Sequence, residues 1–308
     1  MVEPQGSTPS RYHVASVEPD GSTSQSRLLR FVQAPSRVLD LGCSTGGLSE
    51  ALALKGCEVI GVEASTPDLA VATSRLTRYI QADLDTDELN QLLPGESFDV
   101  IVAADILEHL QHPSRLLRMA RELLAPEGFV AFSIPNVAHA SVRLALWEGT
   151  FPYGEHGILD RTHLHMYTHE GMQELFTDAG FSITALERTQ LDLREGVPHT
   201  KSGHTRRQIR AMLATPEALT LQFVGRASPV GERDPLPRRP VRQPMSKEQA
   251  LLDEQARVIR VQAEQIRVLT TYWEVNERGR RFSHRWWLRA VKAVGRRSLN
   301  RITATRLR

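Results

Sequence analysis

The sequence predicts an α/β fold: a doubly wound, mostly parallel sheet with helices on both faces, followed by a C-terminal helical extension. Three observations lead there. Short apolar runs alternate with helix-period patterns from residue 25 to about 135. A Gly-rich turn joins the first of these runs to a helix, the position where open α/β sheets bind ligands. After residue 228 the composition changes abruptly, first to prolines and then to a heptad-spaced stretch.

In chain order, residues 1–24 are rich in Ser, Pro, Gly and Thr and are expected to be a flexible segment. Residues 25–33 (QSRLLRFVQ) read as a short helix ended by Pro35. RVLDLG (37–42) is a buried strand, and Leu48, Ala51, Leu52 and Leu54 set a helix over 47–56. EVIGVE (58–63) is the next strand, followed by a helix near 67–76 and RYIQAD (78–83). FDVIVAAD (98–105) is a strand of mostly apolar, partly β-branched residues. SRLLRMARELLAP (114–126) is an amphipathic helix stopped by Pro126, and GFVAFSIP (128–135) is a strand. FSITALER (181–188) and LTLQFVGRA (219–227) are late strands separated by a polar, helix-forming stretch. The body is therefore expected to span 25–228, with a Pro-rich linker over 229–245. Leu252, Ile259, Ile266 and Trp273 recur every seven residues, so 246–277 reads as a long helix able to self-associate as a coiled coil.

Composition narrows the function. No run approaches the roughly 18 apolar residues of a membrane span. The N-terminus lacks the basic-then-apolar order of a signal peptide, and two cysteines, Cys43 and Cys57, make no disulfide framework. A reducing cytoplasm is the expected location. The net charge of +2 conceals a split: residues 278–308 hold eleven Lys or Arg and no acid, leaving a net of −9 over 1–277. On a helix, Arg281, Arg285, Arg289, Lys292 and Arg296 form one stripe, with Trp286 and Trp287 close by. That pattern suits a helix lying on an anionic membrane surface, at the inner face in a cytoplasmic setting. A partner-binding tail is the alternative. Nucleic acid is not expected, because the body is acidic and carries no RNA-binding motif.

The most informative stretch is VLDLGCSTGGLSEAL (38–52). Gly42 and Gly46 let backbone approach a ligand closely, and the helix beginning near Gly47 offers free N–H groups. Glu63 ends the next strand, 21 residues after Gly42, where a carboxylate can accept both hydroxyls of a ribose. A dinucleotide fingerprint would need G-x-G-x-x-G, but Ser44 stands at the second glycine. A cofactor without phosphates tolerates that change. With Asp40, QADL and AADILEHL at the following intervals, residues 25–227 resemble the class I S-adenosylmethionine-dependent methyltransferases.

The resemblance implies a Rossmann-like, seven-stranded methyltransferase fold and S-adenosyl-L-methionine as cofactor. It further implies that Asp40 and Gly42 line the methionine end, Gly46 allows close approach and Glu63 holds the ribose. Asp83 would cap the adenine amino group with Leu84 against the ring, and Ala104 and Asp105 would close the site near the sulfonium. Asp83 and Asp105 would serve equally as helix N-caps.

A hydroxyl acceptor must lose a proton, which calls for a base, most often His. Five of the eleven histidines lie in residues 139–169: His139, His156, His163, His165 and His169. Within IPNVAHASVRLALWEGTFPYGEHGILDRTHLHMYT (134–168), PNVAH, a G-x-F-x-Y stretch and LDRTHL resemble a subgroup associated with cell-surface glycan assembly. That resemblance implies O-methylation of a sugar or lipid-linked glycan. A small-molecule or quinone-type hydroxyl, an amino-sugar nitrogen, and a non-catalytic scaffold are the other readings. His163 and His139 are the candidate bases, with Asp160 paired to His163 to fix its tautomer, although Asp160 could instead hold a turn and His139 cap a helix. Phe151, Tyr153 and Tyr167 are candidates to stack on the acceptor. His163 and His165 share a strand face, but no third ligand is spaced for a metal, so none is expected.

Overall fold

The computed structural model describes residues 17–76, 78–193, 195–198 and 205–231. The expected coiled coil over 246–277, the basic tail over 278–308 and most of the 1–24 segment and the 229–245 linker lie outside these residues. Among the described residues, no helix is long and apolar enough to cross a membrane.

The chain alternates as expected: α1 (Ser24–Phe31), β1 (Arg37–Leu41), α2 (Gly47–Leu54), β2 (Glu58–Glu63), α3 (Thr66–Ala72), β3 (Arg78–Gln81), α4 (Leu89–Leu92), β4 (Phe98–Ala104), α5 (Pro113–Leu123) and β5 (Leu124–Pro135). It continues with α6 (Ala140–Trp147), α7 (His169–Asp178), β6 (Phe181–Gln190), α8 (Arg206–Leu213) and β7 (Thr220–Pro229). The seven strands are ordered β3-β2-β1-β4-β5-β7-β6. The first five run parallel, while β7 is antiparallel to both β5 and β6. The direction of winding reverses between β1 and β4, so the crevice beyond their C-terminal ends is the natural ligand site.

Both faces of the sheet are covered, which is why the strands read as near-continuous apolar runs. Leu39, Leu41, Ile101 and Ala103 face one core with Leu116, Ala120 and Phe176. Val38, Val100 and Val102 face the other, with Leu28, Leu48 and Leu52. Asp40 lies two residues after Val38, so strand alternation turns it toward the α2 face.

Several boundaries differ from expectation for identifiable reasons. The strand expected to run to Asp105 stops at Ala104: the Asp105 N–H still donates to Ser133 O at 3.2 Å, but its φ of +50° turns the chain out of the strand. The helix expected to stop at Pro126 ends at Leu123, and Leu124 already pairs with Phe98. Helix α4 is one turn long and starts at Leu89 behind Glu88, so Asp83 does not cap it. At the domain edges, Val17 packs against the core and the Thr23 hydroxyl caps α1, so the body begins before residue 25. At the other end, β7 runs to Pro229 and the Val230 N–H donates to Gly180 O at 2.9 Å, so the sheet takes in the first residues of the expected linker.

Candidate active site

The loop after β1 is built almost entirely by backbone. Gly42 and Gly46 take φ +71° and +80°, and Ser44 joins them at +49°. Ser44 thus adopts the left-handed conformation that a glycine would supply. The N–H groups of Gly42 and Cys43 both donate to Val62 O, at 2.9 and 3.0 Å, locking the loop onto β2. A Cβ on Gly42 would sit 2.7 Å from Ile106 Cδ1, so a side chain here would have to displace Ile106.

Glu63 is held by the same loop. Its Oε2 accepts from Ser44 N at 2.9 Å and its Oε1 from Ser65 N at 2.8 Å. Both carboxylate oxygens are therefore oriented by fixed donors at the end of β2. Asp40 lies beneath the loop and is fully buried, with the Ser49 hydroxyl donating to its Oδ2. Burial raises its carboxyl from the usual range to about 6, against the Ser49 hydrogen bond and reinforced by the Glu63 charge. Asp83 is exposed at the same edge, where Ala82 N donates to Glu63 O at 3.2 Å. Its Oδ1 accepts from Asp85 N at 2.9 Å, forming a local turn. Leu84, expected against an adenine ring, packs into the hydrophobic core.

Ala104 is half-buried at the end of β4, and beyond it Asp105 accepts from Gln222 Nε2 at 2.8 Å and from Ser24 Oγ at 3.3 Å. Burial raises the Asp105 carboxyl, opposed by the hydrogen bonds from Gln222 and Ser24. Ser24 and Gln222 carry no local sequence signal; they come from α1 and β7 and meet Asp105 only in the folded chain.

The residues fit S-adenosylmethionine. The loop approaches without side chains at Gly42, a carboxylate stands ready at Glu63, and the buried Ser44 Oγ has no hydrogen-bond partner in the protein. When bound, the cofactor supplies a methyl group on a sulfonium. Glu63 and the loop backbone are the groups that would meet its ribose side, and Asp105 is fixed at the end of β4 by Gln222 and Ser24.

The acceptor segment distributes its histidines among different tasks. His139 is fully buried and caps α6. Its Nδ1 accepts from Ser141 N at 3.2 Å, so Nε2 carries the proton and donates to Leu191 O at 3.1 Å. Burial lowers its pKa. Both ring nitrogens are thereby used in holding the segment together, which corrects the expectation of His139 as a base. His156 is exposed, His165 stacks on Tyr167, and His169 packs against Phe223. Of the aromatic candidates, Tyr153 is exposed with Phe151 edge-on at 5.1 Å, while Tyr167 is partly buried.

His163 stands apart. Its ring meets His109 edge-on at 4.7 Å. Its Nδ1 lies 3.0 Å from Ile158 O, and a carbonyl only accepts, so Nδ1 carries the proton. The tautomer expected to be fixed by Asp160 is fixed by this backbone carbonyl. The Asp160 Oδ1 accepts from Thr162 N at 2.9 Å and Thr162 Oγ1 at 2.8 Å, pinning the turn. His109 has its own Nδ1 3.2 Å from Thr162 O. Glu108, which sequence reasoning passed over, joins the two stretches: its carbonyl accepts from Leu164 N and His165 N at 2.8 and 3.1 Å. Glu108, His109 and His163 each offer a ligand atom, all within 4.8 Å of one another. An open groove lined by Gln111, His112, Arg115, Arg118, His165 and Tyr167 runs beside this region.

A family model described as a methyltransferase domain matches residues 22–186, more than half of the chain. The chain belongs to that family, the S-adenosylmethionine-dependent methyltransferases. Among curated proteins, it is 37% identical over 111 residues to the ubiquinone biosynthesis O-methyltransferase of Pseudomonas putida, covering 35% of this chain and 47% of that protein. It is 34% identical over 112 residues to the enzyme of the same name from Azorhizobium caulinodans, covering 36% and 44%. The chain spans about half the length of the curated relatives it matches. Solved structures similar to it include a SAM-dependent methyltransferase from Archaeoglobus fulgidus, at 18% identity, TM-score 0.48, covering 66% of this chain and 91% of that one. Another is the magnesium protoporphyrin IX methyltransferase of Synechocystis with bound SAH, at 17% identity, TM-score 0.47, covering 68% and 83%. These curated relatives carry a quinone-related name, where the segment 134–168 led us to expect a glycan enzyme.

Proposed function

We propose that this protein transfers the methyl group of S-adenosylmethionine to a hydroxyl of a small molecule of quinone-related type. The observation that carries the reading is the junction after β4. There Asp105, at the end of β4, is followed within four residues by His109, whose ring lies 4.7 Å from that of His163. A cofactor at the β1 loop and an acceptor at His163 would meet across this short turn, and alignment of the two supplies most of the barrier reduction in such a displacement. The lone pair of His163 is on Nε2, where it can draw off the acceptor's proton. The curated relatives' name favours a quinone-type hydroxyl over a glycan.

Calorimetry with S-adenosylmethionine, then release of S-adenosylhomocysteine in the presence of hydroxylated aromatics or lipid-linked glycans, tests this. Release with the aromatics is the expected result. Release only with glycans returns the glycan reading, which rests on the PNVAH and LDRTHL motifs. Absence of cofactor binding favours a non-catalytic scaffold. The basic segment 278–308 would hold the enzyme at an anionic membrane, and 246–277 would mediate self-association. Flotation with anionic liposomes should be lost in a 1–277 variant, and equal partitioning would reject the membrane role.

A further inference from the structure

Asp105 stands where the winding of the sheet reverses, and three separate parts of the fold hold it there. Its N–H donates to Ser133 O on β5 at 3.2 Å although its φ is +50°. Its Oδ1 accepts from Gln222 Nε2 of β7 at 2.8 Å, and its Oδ2 from Ser24 Oγ of α1 at 3.3 Å. Each donor is itself fixed. The Thr189 hydroxyl donates to Gln222 Oε1 at 3.5 Å and accepts from Gln222 N at 3.1 Å, which turns the nitrogen of the amide to Asp105. Ser24 is buried at the start of α1, and Arg27 of the same helix pairs with Glu187 of β6 at 2.5 Å. Ile106, the next residue after Asp105, fills the space beside Gly42 of the cofactor loop. A left-handed residue persists where its surroundings over-determine it, and such residues gather at ligand sites. Both donors are neutral, and no Lys or Arg among the described residues pairs with Asp105. Burial pushes its carboxyl up and the two donors pull it down, and a cation brought beside it would favour the ionised form further. A half-buried carboxylate with fixed oxygens and no cation of its own suits a positively charged ligand.

We propose that Gln222 and Ser24 are positioning residues that aim the Asp105 carboxylate at the sulfonium charge of S-adenosylmethionine, so that the site tells the methyl donor from its product. The proposal rests on the methyl-transfer reading above. In that reaction an O–CH3 bond forms as a C–S bond breaks, the electron pair of the broken bond returns to sulfur, and the hydroxyl proton passes to a base. The positive charge on sulfur disappears, so S-adenosylhomocysteine is a neutral thioether at that atom. A fixed anion attracts the charged form and is indifferent to the neutral one. Glu63 and the loop backbone would meet parts that the two molecules share, so they do not separate them. The discrimination falls to Asp105, and through it to two residues 81 and 117 positions away. An Asp105 side chain released by either donor could swing toward water, where its charge is screened and reads the sulfonium less well.

The test is calorimetry on the full-length protein with S-adenosylmethionine, S-adenosylhomocysteine and sinefungin, in which a carbon bearing an ammonium group replaces the sulfonium. The quantity read is the ratio of affinities for the cationic and the neutral ligands. Asp105→Asn keeps the shape and removes the charge, and should move the ratio toward S-adenosylhomocysteine by about tenfold. Gln222→Leu and Ser24→Ala should each move it the same way by about threefold. Affinity for S-adenosylhomocysteine should stay at the wild-type value in all three variants, which also reports intact folding. A merely structural role would weaken the three ligands alike, and that result overturns the proposal. It is also overturned if the ratio is unchanged in Asp105→Asn, or unchanged in both Gln222→Leu and Ser24→Ala, while the wild type binds S-adenosylmethionine; the methyl-transfer reading then stands. A wild type that binds none of the three ligands overturns that reading and the proposal with it.

Discussion

On the cofactor side, Glu63 reaches its place because β2 ends there, and neighbouring backbone N–H groups fix both of its oxygens. On the acceptor side, His163 reaches its place because the 33-residue connection between β5 and α7 folds back over the turn after β4. The cofactor side is strand ends and one short loop. The acceptor side is a long segment in which Asn136, His139, Asp160 and Thr162 are all occupied in holding the chain to itself. The difference teaches that a rich supply of histidines does not mean a rich supply of bases. An irregular segment must satisfy its own buried polar groups first, and its histidines are drawn into that task.

The two sides should separate under mutation. The largest effect is expected at His163→Ala, with turnover reduced by ~10^2–10^4 and cofactor affinity unchanged. A parallel loss of cofactor affinity, read by calorimetry, would show that the two sides are not independent. Next comes Asp40→Asn. Removing a buried carboxyl whose pKa stands near 6 should raise stability at pH 7 by up to about 3 kcal/mol, while weakening cofactor binding.

The sign of the pH dependence follows from linkage. Between the ordinary Asp range and about 6 the folded state binds the extra proton, so the Asp40 contribution to stability falls as pH rises through that window. Denaturation curves of the variant should lack this slope.

His139→Ala should cost about 2 kcal/mol, because Ser141 N and Leu191 O lose their partner. Turnover per folded molecule should be preserved, in direct contrast to His163→Ala. Its linkage runs the opposite way to that of Asp40. Burial depresses the His139 pKa, so its contribution is full above the ordinary His range and is lost as pH falls below it. The smallest effect is expected at Gly42→Ala, where φ +71° costs about 1–2 kcal/mol and the new Cβ presses on Ile106. A lowered melting temperature together with weakened cofactor binding would report it. Unaltered binding would mean that the loop is more accommodating than its geometry implies.

The strand–helix alternation, the turn at Gly42 and the carboxylate at Glu63 were legible because each is written in a few neighbouring residues. A buried strand must be apolar along its length, and a turn with φ near +70° needs glycine or a residue that tolerates it. Leu84 and Asp83 were harder to place. One residue decides whether a side chain at a strand end faces the core or the crevice, and Leu84 went to the core.

By itself the sequence determined the alternating sheet and the backbone-lined cofactor loop, because local periodicity and local turn chemistry encode them, and its motifs carried the resemblance to the methyltransferases. Only the tertiary structure decided that Asp105 is held by Ser24 and Gln222, residues 81 and 117 positions away. It also decided that His109 lies against the turn carrying His163, and that His139 is a cap. These outcomes depend on β7 running antiparallel between β5 and β6 and on the path of the segment from 134 to 168. No local pattern records which distant side chains such a path brings together.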